Sequence, residues 1–147
     1  MRKLYHRLCE VIEKEQPNVL QAHSPALNGL AAIWAGKKYN LPVLYEQRGF
    51  WEDAAVSHGT TREGSLKYRL SRFLEYYVMS KADAITCICE GLRKDLLTRG
   101  IPGEKITIIP NAVDASIFQP TTSNNPNFKT KLGLDGSITI GFIGSFY

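Results

Sequence analysis

Apolar positions along this chain switch repeatedly between helical and strand-like spacing. Leu4, Leu8, Val11 and Ile12 recur at helical intervals, and Pro17 cuts that helix off from NVLQAH at 18–23, a short run of buried-strand type. After the loop SPALNG, Leu27, Leu30, Ala31 and Trp34 mark a second helix, and the break at Asn40-Leu41-Pro42 leads into a second strand, VLYEQ at 43–47. Leu66, Leu70, Phe73, Leu74, Tyr77 and Val78 predict a long helix with one apolar face. DAITCIC at 83–89 follows as a third strand, rich in β-branched residues. A helix through GLRKDLLTR is stopped by Gly100 and Pro102, and KITII at 105–109 is the fourth strand. Residues 49–65 hold no sustained period and are expected to form a long irregular loop.

From Pro110 the pattern dissolves. Residues 110–136 are rich in Asp, Ser, Pro, Thr and Asn and read as a linker, whereas SITIGFIG at 137–144 predicts one more buried strand. The expected organisation is a folded block at 1–109, a linker at 110–136, and the first strand of another domain at 137–147. Helices alternating with strands imply right-handed crossovers and an α/β fold, an open doubly wound parallel sheet with helices on both faces. Ligands of such sheets lie beyond the carboxyl ends of the strands. That directs attention to His23 with Ser24, to 46–53, to Cys89 with Glu90, and to Pro110 with Asn111.

Composition narrows the class. With 147 residues, 44% hydrophobic and 22% charged, the chain has the make-up of a soluble globular domain, and charges or prolines interrupt every apolar stretch before the roughly 20 residues that span a bilayer. The N-terminus lacks the layout of a signal peptide, which makes the cytoplasm the expected compartment. Cys9, Cys87 and Cys89 are odd in number and have no zinc-site spacing, so neither a disulfide framework nor a metal is expected. Cys87 and Cys89 alternate on a strand and are expected to be buried together. A helix running from residue 2 without a cap, and a chain ending at Tyr147 just after an apolar run, suggest a piece of something larger.

The net charge of +4 suits anionic partners without demanding them. Around the long helix, Arg62, Lys67, Arg69, Arg72 and Lys81 outnumber Glu63 and Glu75, with Tyr68, Tyr76 and Met79 interleaved. That side is either a solvated basic face or a peripheral contact with an anionic membrane. No nucleic-acid motif accompanies the charge.

Candidate chemistry gathers at strand ends. His23, followed by Ser24, Pro25 and Asn28, either fills the strand end or meets a phosphate or sugar hydroxyl, and the amides of the next helix can face an anion. YEQRGFWED packs Glu46, Arg48, Trp51, Glu52 and Asp53 into eight positions. They form either a polar substrate floor or an Arg–carboxylate bridge pinning the loop, with Trp51 in the core.

PNAVD at 110–114 with Phe118 resembles the Pro-Asn-Gly-Val-Asp and downstream Phe signature of family 4 retaining glycosyltransferases, with Ala112 in place of the Gly. KADAITCICEGLRKDLLTRGIPGEKITIIPNAVD resembles the last α/β unit of that family's N-terminal domain. HSPALNG with VLYEQRGFWEDAA is most similar to the subgroup associated with exosortase and exopolysaccharide clusters. The resemblance implies a Rossmann-like N-terminal acceptor domain of glycosyltransferase B type, present in part, and a donor domain beginning near Ile138. By the same resemblance His23 is the candidate catalytic residue. Ser24, Asn28, Glu46, Arg48, Trp51, Glu52 and Asp53 lie on the acceptor side, Pro110, Asn111 and Asp114 in the hinge, and Gly144 with Ser145 on the donor side. The implied activity is transfer of a hexose from a nucleotide diphosphate sugar to a glycan or lipid-linked acceptor, with retention and without a cofactor or metal. An isolated piece is expected to be inactive. A non-catalytic binding module and a sugar-nucleotide epimerase of the same architecture are the alternatives.

Overall fold

The computed structural model describes residues 1–119 and 126–141. The chain divides into two units, Met1–Asn111 and Ala112–Tyr147. In the first unit α1 (Arg2–Glu15), β1 (Leu20–His23), α2 (Ala26–Tyr39), β2 (Val43–Gln47), α3 (Trp51–Ser57), α4 (Leu66–Lys81), β3 (Ala84–Cys87), α5 (Glu90–Thr98) and β4 (Ile106–Ile108) follow in order. All four strands run parallel in the order β1-β2-β3-β4. The expected α/β class, a Rossmann-like parallel sheet flanked by helices, is therefore present. Neighbours in this sheet are also neighbours in sequence, so right-handed crossovers carry the connecting helices over one face, where α2 and α4 pack on each other.

Alternation along the strands sorts the side chains. Leu20, Ala22, Val43, Tyr45, Ile85, Cys87 and Ile106 enter a core closed by Leu30, Ala35, Val78, Met79 and Leu96. Gln21, His23, Leu44 and Glu46 occupy the alternate positions and are less covered.

Helix α2 approaches the sheet through small residues. A Cβ at Gly29 would lie 2.3 Å from Val78 Cγ1 and 2.8 Å from Tyr45 Cε2, and one at Gly36 would lie 2.5 Å from Val43 Cγ2. Close approach by glycine and alanine leaves no room for the larger residues, so Leu27 and Trp34 of the expected stripe are exposed while Leu30 and Ala31 are buried.

The apolar face expected on α4 splits in two. Val78 is buried and Leu74 and Tyr77 pack against the core, but Leu66, Leu70 and Phe73 face outward. Tyr68, Glu75 and Met79 take the inner positions instead, with Glu75 and Tyr68 hydrogen-bonded to neighbouring elements.

Two further expectations are corrected in this unit. The segment 49–65 is not wholly irregular, because α3 occupies Trp51–Ser57. A helix this short is marginal alone, and its period is too brief to register in sequence. Strand β3 ends at Cys87, so Cys89 is exposed while Cys87 and Cys9 are buried, and all three thiols are free.

In the second unit Asp114 Oδ1 accepts from Ser116 N at 2.8 Å and Ser116 Oγ at 2.6 Å, closing a turn, and α6 spans Pro126–Lys131. Residues 137–141 form no strand, and Ile138 and Ile140 are 98% and 94% exposed, contrary to the buried strand expected from 137. An apolar run becomes a strand only when a neighbour pairs with its N–H and C=O groups, and among the described residues none does. Gly144 and Ser145 lie outside the described residues. No helix among the described residues is long and apolar enough to cross a membrane.

Candidate functional site

A parallel sheet presents all its carboxyl ends on one rim. Here that rim is formed by His23, Gln47, Cys87 and Ile108, and Ile109 N donates to Cys87 O at 2.8 Å as the chain continues to Pro110 and Asn111. The four strand ends singled out in the sequence therefore share an edge. Asp114 belongs to the second unit.

The register pairs His23 with Glu46. His23 Nδ1 lies 3.1 Å from Glu46 Oε2, which also accepts from Gln21 Nε2 at 2.8 Å, while Arg48 Nε lies 3.5 Å from Glu46 Oε1. The contact turns the Nδ1 side of the ring toward Glu46. Nε2, on the other side of the ring, makes no hydrogen bond among the described residues. Ser24 joins the same cluster, since its N–H donates to Glu46 O at 3.0 Å and its Oγ accepts from Arg48 N at 3.3 Å. Asn28 Nδ2 donates to His23 O at 3.4 Å, tying the strand end to the first turn of α2. His23, Arg48 and Trp51 are all substantially exposed. A recess of about 240 Å³ between α1 and α2, lined by Leu4, Leu8, Gln21, Asn28 and Ala31, opens beside His23.

The N-terminus of α2 does meet a carboxyl group, and that group belongs to the protein. Ala26 N donates to Glu75 Oε2 at 2.9 Å, and Tyr45 Oη donates to Glu75 Oε1 at 2.5 Å. Burial pushes the Glu75 carboxyl above its ordinary range, opposed by the bonds from Tyr45 and Ala26. Burial, reinforced by the neighbouring Glu75, drives the Tyr45 phenol strongly upward as well. This inward carboxylate holds the loop that carries His23, Ser24 and Pro25.

Glu52 and Asp53 take another course. Glu52 is buried in α3, where Oε1 accepts from Arg99 Nη1 at 2.5 Å, and Asp53 Oδ2 lies 3.4 Å from Arg99 Nη2. Asp53 Oδ1 accepts from Tyr68 Oη at 2.8 Å, a bond that raises the phenol's pKa. The Arg99 guanidinium carbon stands 3.4 Å from the Phe50 ring centroid. Of the two readings open for this segment, the pinning bridge describes Glu52 and Asp53, with Arg99 at the end of α5 as the cation. Within this buried region Gln47 Oε1 and Glu52 Oε2 have no hydrogen-bond partner among the described residues.

Sequence reasoning missed Gln21, Glu75, Arg99 and Tyr68. Gln21 was detectable, because it lies two positions before His23 and so shares its face of β1. The other three act across tens of residues, and nothing local announces their partners. Among the described residues no three His, Cys, Asp or Glu side chains converge as a metal-ligand set.

The sequence model of Glycosyltransferase Family 4 matches residues 1–117, which include every strand of the sheet and the whole rim. The chain belongs to glycosyltransferase family 4. Comparison with curated proteins gives no match. For a family 4 glycosyltransferase the partners are in general a sugar nucleotide and an acceptor, and the His23–Glu46 cluster lies within the family domain.

Proposed function

We propose that the rim around His23 serves transfer of a hexose from a nucleotide diphosphate sugar to a glycan or lipid-linked acceptor, with retention at the anomeric carbon. The observation that carries this reading is the Nδ1 contact of His23 to Glu46 at 3.1 Å, which orients an exposed imidazole at the carboxyl edge of the sheet. In this reading Nε2 of His23 hydrogen-bonds the reacting sugar, Arg48 and Trp51 bind the acceptor, and Ser24 and Asn28 hold the loop. Glu46 is a positioning residue, acting through the imidazole. Pro110, Asn111 and Asp114 belong to the hinge toward the donor-binding part. The leaving diphosphate needs cationic side chains and helix N-termini, and the reading calls on no metal ion.

The test places the equivalent of His23→Ala in a family 4 enzyme with both domains. Loss of one hydrogen bond, about 0.5–1.5 kcal/mol, lowers transfer by about two- to tenfold. Near-normal transfer would remove the role of His23. For the present chain, calorimetric titration with nucleotide sugars and with acceptor glycans reports which of the two it binds. Acceptor affinity that falls on Arg48→Ala or Trp51→Ala is expected, whereas donor binding untouched by His23→Ala argues against this rim.

A further inference from the structure

Helix α4 carries an apolar ridge on the side opposite its core contacts. At about 100° per residue Leu66, Leu70 and Phe73 fall within about 60° of one another and face away from Glu75. They are 83%, 56% and 61% exposed, and Tyr76 continues the ridge toward the C-terminal end. Single exposed leucines need no explanation, but three large apolar side chains in line on one helix do.

The charges beside the ridge have one sign. Between residues 62 and 81 the only acids are Glu63 and Glu75, and Glu75 is buried against Tyr45 and Ala26. Along this segment Arg62, Lys67, Arg69, Arg72 and Lys81 thus outnumber the one remaining acid, Glu63, and none of these five cations makes an ion pair among the described residues. Phe73 and Tyr76 also line a recess of about 460 Å³ with Arg69, Arg72, Thr98 and Arg99. Arg99 is already engaged by Glu52 and Asp53, and Arg72 interacts with the Tyr68 hydroxyl, so Arg69 and Arg72 are the cations there that pair with no acid among the described residues.

We infer that this face of α4 docks on the headgroup region of a bilayer containing anionic phospholipid, with Leu66, Leu70 and Phe73 entering the acyl boundary and Arg69 and Arg72 holding lipid phosphates. Exposed apolar side chains in line on a helix with arginines beside them suit a fluid interface, which closes around the ridge and brings phosphates to its flank. Arginines that pair with no acid among the described residues flank it and complement the negative surface. The Tyr68 and Met79 of the basic-face pattern take no part, because both are buried.

The test is flotation of the full 147-residue chain with vesicles rich in phosphatidylglycerol and with vesicles of phosphatidylcholine alone. Binding to the first only is expected, and it fades as the screening length shrinks from about 10 Å at 0.1 M salt to about 3 Å at 1 M. Each arginine near an anionic surface is worth about a fivefold change in partition, so Arg69→Ser with Arg72→Ser lowers binding by about 25-fold. Leu70→Ser with Phe73→Ser abolishes stable insertion while leaving the circular dichroism melt unchanged, since both residues are exposed. Three results each overturn the inference: no flotation with anionic vesicles, equal flotation with both kinds, and variants that float like the parent. Excess inorganic phosphate or glycerophosphate separates free anion from lipid, because displacement by either would mean a phosphate site and no membrane contact. Concentration-dependent dimers that Phe73→Ser dissolves would assign the ridge to a second copy and likewise overturn it.

Discussion

Two charged clusters lie at opposite ends of the nine-residue segment YEQRGFWED, and they do opposite things. At its start Glu46 joins His23, Gln21 and Arg48 on an open rim, where one imidazole nitrogen has no partner among the described residues. At its end Glu52 and Asp53 close on Arg99 and Tyr68, with Phe50 against the guanidinium, and the side chains of Glu52 and Arg99 are only 1% and 8% exposed. In sequence both look like a carboxylate near an arginine. Burial separates them: charges withdrawn from water need every partner they have, whereas charges at a rim can exchange partners with a ligand.

That contrast is broken most forcefully at Arg99. Replacing it with alanine leaves Glu52 buried and unpaired, and unfolding by denaturant is expected to show a loss of about 3–5 kcal/mol. A loss below about 1 kcal/mol would mean the cluster is not a structural clamp. Tyr68→Phe keeps the ring and removes one bond to Asp53, so the same measurement should register about 0.5–1.5 kcal/mol.

The third prediction concerns pH. The folded-state pKa of Glu75 is raised, so the folded chain holds a proton that the unfolded chain releases from about pH 4.3 upward. The corresponding stability is complete below the unfolded value and is lost as pH rises through the folded one. Glu75→Gln, which mimics the protonated acid toward Tyr45 and Ala26, should match the parent in acid and gain on it above that range. Parallel melting curves across pH would refute the shift. The smallest expected effect is at the rim itself, where His23→Ala or Arg48→Ala should change stability by less than about 0.5 kcal/mol. A larger loss would move His23 from the open class to the clamped one.

Much of the fold was legible because its signals are local. The short run VLYEQ marks β2 at the residues it occupies, and Pro17, Pro42 and Gly100 punctuate helices where neither a missing N–H nor a left-handed turn can be accommodated. Placement of His23, Glu46 and Pro110 at strand ends followed from the same reading. Helix α3 was not legible, since seven residues carry barely two turns and its anchors, Arg99 and Tyr68, lie far along the chain. The apolar run at 137–141 shows the reverse error, strand-like residues with no partner strand among the described residues. On α4 the periodicity was real, yet it marked both faces, and Glu75 went inward because Tyr45 and Ala26 wait there for it.

Periodicity and punctuation along the chain thus determined the order of elements, the parallel α/β class and which residues stand at strand ends, because each depends on spacing within a few residues. Register, and the choice between two faces of one helix, belonged to the tertiary structure. Whether His23 meets Glu46, whether Glu52 meets Arg99 and whether Leu70 meets solvent are settled by packing between elements, where a buried charge must find a partner and a glycine decides how closely a helix can approach.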